Sequence, residues 1–404
     1  MHRLNLFQDP KQLLLALALL LLLGALAYQG AVERSQPWTA LGPWAAPVSP
    51  TKTVISWQSD SPTTGTVHYG PADEYAAEGR LPYEAEAAEP QQLLHIELSD
   101  LSPGTRYAYQ AESDEVESPV CYFSTPPEAF RPFTFLVYGD TRTHYDRHAL
   151  VASRMAGEDA EFVVHVGDLI ETPTSAEWRA FLGTGGPLFR SMSFLCVLGN
   201  HERNSRTYYD LFPLPQGGGR YGKQWWSLRW GDVLLVGLDS NLPYLKFTGL
   251  KKETAWLKEV LGEEARYKFV FFHHPLFSSD PHYGGDEGLA KLWHPIFIEA
   301  GVTAVFCGHC HNYEHIIRDG VHYVITGGGG APFSPLSGDR TEGSVFGAEN
   351  VFHYVRVEVG EEEVRVEMVP VAEVQDGEVV SLPGEPMEAF ELYPAREPVG
   401  AQSE

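Results

Sequence analysis

Phe133-Thr134-Phe135-Leu136-Val137-Tyr138-Gly139-Asp140 is an apolar run that stops on a glycine and an acid. The pattern returns down the chain. Residues 162–166 stop on Gly167-Asp168, residues 194–198 on Gly199-Asn200-His201, residues 268–272 on His273-His274-Pro275, and residues 302–306 lead to Gly308-His309. A further run, residues 233–238, ends on Asp239. Short runs without polar alternation read as strands buried on both faces, the habit of parallel sheets. Helical stretches at residues 147–156 and 253–261 lie between them. The reading is therefore α/β. In such sheets, ligands bind beyond the carboxyl ends of the strands, where side chains from several strands converge. Asp140, Asp168, Asn200, His273 and the pair His309 and His311 stand there. One acid after a strand is most often a turn or helix cap; five strand ends in succession are not. Oxygen and imidazole donors in this mix suit Fe, Zn or Mn.

Outward from this region the chain changes character. Residues 45–126 read as short alternating strands with turn residues between them, an all-β unit. Strand signals continue after the α/β region at residues 323–326, 354–359 and 364–369, with Gly327 to Gly330 breaking the chain. Past residue 372 the sequence is Pro-rich and acidic, either one edge strand or a loose tail. At 404 residues, two or more units are expected. A net charge of −25 repels nucleic-acid backbones and anionic lipid, which sets aside nucleic acid as a partner. It leaves room for a small phosphate-ester substrate, because metal ions reverse the field locally.

Arg3 and Lys11 flank a start that runs into Leu and Ala over residues 13–27. That is the charged and apolar layout of an export signal, and Ala25-Leu26-Ala27 suits cleavage. Uncleaved, it would be an anchor tethering the chain to the membrane. Both place the rest of the chain outside the cytoplasm: secreted, periplasmic or held at the outer face of the membrane. Cys121, Cys196, Cys307 and Cys310 read as free thiols, although that compartment permits disulfides.

Gly139-Asp140, Gly167-Asp168, Gly199-Asn200-His201-Glu202, His273-His274-Pro275 and Gly308-His309-Cys310-His311 together resemble the ordered motifs of calcineurin-like metallophosphoesterases. Asn312-Tyr313-Glu314-His315 and Val270 point to the purple acid phosphatase branch. Ahead of them, Leu98-Ser99-Asp100-Leu101-Ser102-Pro103-Gly104-Thr105-Arg106-Tyr107 resembles a fibronectin type III turn. The resemblance implies a four-layer αββα sandwich over residues 128–372. A fibronectin type III-like β-sandwich at residues 32–127 precedes it. Residues 1–31 are the signal peptide or anchor, and residues 373–404 the edge strand or tail.

The resemblance also implies site roles. Asp168 bridges two metal ions, Asp140 and His311 bind the first, and Asn200, His273 and His309 complete the second. His201 stabilises the phosphate or protonates the leaving alcohol. His274 either contacts phosphate or is a buried structural histidine. The implied activity is acid phosphatase-like hydrolysis of phosphate monoesters by attack of metal-bound hydroxide. A phosphodiesterase on the same site is the alternative, with a non-catalytic binding protein behind it; the loops at residues 208–224 and 278–287 would decide substrate room. Two positions depart from the branch. Arg142 stands where it has glycine; arginine stays protonated, so it forks onto a substrate phosphate or pairs with an acid. Glu171 stands where it has a tyrosine ligand, so the first metal gains a carboxylate or loses a ligand.

Overall fold

The computed structural model describes residues 38–394. The export segment at residues 1–31 lies outside them. The N-terminal part is built from two antiparallel sheets. β1 (Leu41–Ser49), β2 (Lys52–Thr63) and β5 (Gln91–Leu98) form one. β3 (Gly65–Pro71), β4 (Tyr83–Glu86), β6 (Arg106–Ser113), β7 (Val116–Glu117) and β8 (Cys121–Ser124) form the other. Ile55, Trp57, Val67, Ile96, Tyr109 and Phe123 fill the space between them. The turn at Gly104 takes a left-handed φ of 62°. It brings the Tyr107 hydroxyl back to accept from the Ser102 amide at 2.9 Å, which explains the turn signature. The unit is docked on the second part of the chain: His95 Nε2 lies 2.8 Å from the Asp210 carbonyl.

Two larger sheets make up that second part. In the first, β9 (Phe133–Tyr138), β10 (Phe162–His165) and β11 (Ser193–Cys196) run parallel, as their apolar runs imply. The order is β11-β10-β9-β20-β21-β22, with β20 (Val351–Val359) antiparallel to β9, then β21 (Val364–Gln375) and β22 (Glu378–Ser381). The second has the order β12-β13-β14-β15-β16-β18-β17-β19. Its members are β12 (Gly217–Gly218), β13 (Trp225–Trp230), β14 (Val233–Gly237), β15 (Tyr267–Phe271), β16 (Ala304–Cys307), β17 (Tyr313–Arg318), β18 (Val321–Thr326) and β19 (Ser344–Ala348). The sheets pack face to face: Phe135 meets Phe269 edge-on at 5.3 Å and Phe306 at 6.3 Å. Helices Tyr145–Met155 and Ser175–Thr184 cover the outer face of the first sheet through Val151, Met155 and Phe181. Helices Leu242–Leu261 and Glu287–Glu299 cover the second through Leu257, Trp293 and Phe297. Four layers result, and strands buried on both faces account for the unbroken apolar runs.

All four cysteines are buried and free. The tail does more than the sequence reading allowed. It forms β22 and also β23 (Glu388–Leu392), which pairs with the other half of β21. Glu388 accepts from the Tyr313 hydroxyl at 2.6 Å and lies 2.8 Å from His315 Nδ1, and Phe390 stacks on His315 at 3.9 Å. Acidic, Pro-rich composition hid these few anchoring contacts.

Candidate metal centre

Each motif glycine has a steric reason. A Cβ on Gly199 would lie 2.2 Å from Asp168 Oδ1, and one on Gly308 2.4 Å from Asp140 Oδ2. A Cβ on Gly167, whose φ is 93°, would lie 2.7 Å from the Gly199 amide nitrogen. Loops that bring donors from separate strands to one point leave no room for side chains at these positions. Asp140, Asp168 and His309 have φ of 60°, 57° and 70°. Three non-glycine residues held left-handed at one place mark a site whose surroundings enforce the geometry.

Two donor groups meet there. Around His273 Nε2 stand Asn200 Oδ1 at 3.2 Å, His309 Nδ1 at 3.2 Å and Asp168 Oδ1 at 3.3 Å. Donors on a tetrahedral ion at about 2.0–2.1 Å stand about 3.3–3.4 Å from one another, so the spacing fits a metal ion. The second group is Asp140, Asp168 and His311, with His311 Nε2 at 3.4 Å from Asp140 Oδ1. Backbone carbonyls fix which nitrogen is offered. His273 Nδ1 donates to Val166 O at 2.9 Å and His311 Nδ1 to Pro332 O at 2.6 Å, so each ring presents Nε2. Burial disfavours charge on His273, yet Asp168 and Asp140 outweigh it and push the pKa up to about 9. The pocket demands positive charge at that point, which a metal ion supplies. Burial and the neighbouring His273 push His309 down to about 2, so its ring is a neutral donor.

The remaining candidates border this pair. His201 places Nδ1 2.7 Å from the Glu171 carbonyl, and its Nε2 lies 3.8 Å from Asp168 Oδ2. His274 sits 2.9 Å from Ser240 Oγ, with its ring centroid 4.5 Å from that of His309. Burial and His273 push its pKa down to about 3. Arg142 donates to Glu171 Oε2 at 2.6 Å, while its Nε lies 3.5 Å from Asp168 Oδ2 and its Nη2 3.5 Å from His311 Nε2. The ion pair with an acid is thus formed, and the guanidinium lies beside the ligands. Glu171 also accepts from Thr143 Oγ1 at 2.7 Å and belongs to neither donor group.

Two residues escaped the sequence reading. Glu202, quoted in a motif without a role, accepts from the amides of Gly199 (2.7 Å), Leu169 (2.8 Å), Asp168 (3.0 Å) and Ile170 (3.3 Å). It ties the loop after β10 to the loop after β11. Burial and the Asp168 charge raise its pKa, and the Gly199 amide, His273 and the Asp168 amide oppose that rise. The Tyr283 ring lies 4.6 Å from that of His309, tilted by 58°, and is 47% exposed, so it forms part of the rim. Its loop, residues 278–287, is one of the two expected to decide substrate room, but no signal in the sequence singles out the residue.

Known proteins show the same parts. The model of calcineurin-like phosphoesterases matches residues 133–313, and that of the purple acid phosphatase N-terminal domain matches residues 44–125. A phosphoenolpyruvate phosphatase of Allium cepa is 26% identical over 61% of this chain and 55% of its own length. A purple acid phosphatase of Glycine max is 25% identical over 70% of this chain and 67% of its own. The chain thus spans a little over half to two thirds of these relatives. Among solved structures, a purple acid phosphatase from yellow lupin seeds superposes with a TM-score of 0.71 at 17% identity, covering 88% of this chain and 74% of its own. PhoD gives 0.67 at 13%, covering 84% and 88%. At such identities the likeness is one of fold.

Proposed function

We propose, for a chain built of a calcineurin-like phosphoesterase domain behind a purple acid phosphatase N-terminal domain, that it hydrolyses phosphate monoesters outside the cytoplasm with two metal ions. The observation that carries this is the pair of donor groups around Asp168, with donor spacings of 3.2–3.4 Å. Asp140 and His311 would hold one ion, Asn200, His273 and His309 the other, and Asp168 would touch both. When bound, such a pair supplies Lewis acidity toward phosphoryl oxygens and lowers the pKa of water toward ~7. Asn200 contributes a neutral oxygen, which preserves the positive charge of the site. His201, held through Nδ1, directs Nε2 to where a leaving oxygen can take its proton; alkoxide leaves poorly without one. Arg142 lies close enough to Asp168 to fork onto a phosphate once it lets go of Glu171. The Leu- and Ala-rich start at residues 13–27 supports the extracytoplasmic location.

The test is phosphate release from an aryl monoester and an aryl diester after reconstitution with Fe, Zn and Mn separately. Faster turnover of the monoester with at least one metal is expected. Preference for the diester would move the reading to a phosphodiesterase, and inactivity with every metal and both esters would refute it.

A further inference from the structure

We propose that a basic pocket whose walls are hydrogen-bonded to the Asn200 loop is a second anion site and takes a further phosphate group of the substrate. This rests on the phosphatase reading above. The pocket has a volume of about 430 Å³, and its lining includes Arg220, Lys246, Lys252 and Thr248 but no carboxylate. In a chain of net charge −25 that is an unusual place. Four of the chain's nine lysines, Lys246, Lys251, Lys252 and Lys258, lie in the single helix Leu242–Leu261. None of the four forms an ion pair with a carboxylate among the described residues. Lys246 interrupts that helix with φ 56° and ψ 167°, a conformation non-glycine residues rarely adopt.

Both walls are bonded to the loop that carries Asn200 and His201. On one side, Arg220 Nη1 donates to the Asn204 carbonyl at 3.2 Å. On the other, Asn241, which caps the lysine-bearing helix, donates through Nδ2 to the Gly199 carbonyl at 2.8 Å. The Arg203 amide donates to the Asn200 carbonyl at 3.2 Å, closing a turn. A turn keeps its ends within about 7 Å, and one further residue adds about 3.8 Å. The Asn204 backbone therefore lies within about 11 Å of that of Asn200, with Arg220 on it. A substrate anchored by one phosphate at the metals would have to span that distance and the length of the Arg220 side chain to place a second phosphate in the pocket. Three cations outnumber the one carboxylate behind the wall, Asp239, which accepts from Gln224 Nε2 at 2.7 Å, and they favour a dianionic group, which free phosphate also offers.

The experiment compares α,ω-alkanediol bisphosphates of graded length with the matching monophosphates. At one spacer length the wild type is expected to show a KM about tenfold lower for the bisphosphate, the sum of three exposed charge contacts. Added salt should shrink the difference. In Lys246→Ala/Lys252→Ala the ratio of the two KM values should approach one. Arg220 is left in place because it also supports the Asn204 loop. An unchanged ratio in the double variant would overturn the proposal. A second measurement does not depend on turnover: acetylation of Lys246 and Lys252, read by mass spectrometry, with and without inorganic pyrophosphate. Protection of both is expected, and its absence refutes the pocket even if the enzyme hydrolyses monoesters. Protection without any length-dependent KM advantage would overturn the substrate assignment in favour of a free-anion site. Inactivity on all esters would instead count against the phosphatase reading, while the labelling still reports on the pocket.

Discussion

His201 spends one ring nitrogen on the Glu171 carbonyl, at 2.7 Å, and has the other left for chemistry. It belongs to neither donor group. His201→Ala should therefore keep its metals by elemental analysis and lose ~10²–10⁴-fold in kcat. The loss should be largest for alkyl esters and smaller for nitrophenyl esters, whose leaving groups need less protonation; equal losses would argue against the acid role. Glu171 poses a different question. Its carboxylate is engaged by Arg142 and Thr143, which outweigh the effect of burial and lower its pKa. The violet of purple phosphatases arises from charge transfer between tyrosinate and ferric iron, and no tyrosine lies in the segment Asp168-Leu169-Ile170-Glu171-Thr172. Iron-loaded protein should show no strong visible band, and Glu171→Tyr should introduce one. A strong band in the wild type, absent after metal removal, would mean that a tyrosine from another segment ligates.

At the scale of elements, the centre depends on loops that a single buried carboxylate holds in register. Glu202→Gln keeps the shape but points an NH₂ group at amides that need an acceptor. Each carboxylate oxygen accepts from two amides, and an unpaired buried donor costs about 1–3 kcal/mol, so a loss of about 2–6 kcal/mol is expected, with weaker metal retention. Urea unfolding of the metal-free and metal-loaded protein would measure both; an unchanged midpoint would refute the role. The contrast with Asp168 shows what sequence carries. Asp168 was legible because its strand is apolar on both faces and its glycine is adjacent, which are local facts. The function of Glu202 depends on which amides of a loop some thirty residues away point inward, and that direction exists only once β10 and β11 are paired. The same holds for the carbonyls of Val166 and Pro332 that select the His273 and His311 nitrogens. The α/β class followed from periodicity, and the four layers from the family resemblance alone. The docking of β23 did not, because Glu388 and Phe390 lie in a composition typical of loose tails.

For the molecule as a whole, buried histidines set a limit on acid tolerance. His148 lies between Phe181, stacked at 5.1 Å, and the Thr184 hydroxyl at 2.8 Å, and burial pushes its pKa down to about 3. The unfolded chain takes up this proton near pH 6.5, the folded one only near 3. Between those values the unfolded state binds more protons. The contribution is thus complete above about pH 6.5 and is lost, at up to about 1.4 kcal/mol per pH unit, as the pH falls. Melting temperature should drop on acidification through this window, and the slope should be shallower in His148→Gln, whatever that variant's stability at pH 7. Parallel slopes would exclude His148 as the cause.

The order of the first catalytic sheet has a consequence in time. The strand that delivers Asp140, β9, is flanked on one side by β20, and Val351 lies 213 positions after Tyr138. A ribosome needs roughly 10–40 s to make that stretch. Until then β9 has β10 on one side and nothing on the other, and pairings this distant form late because loop closure must come first. The nascent chain therefore carries all its ligands before it can arrange them.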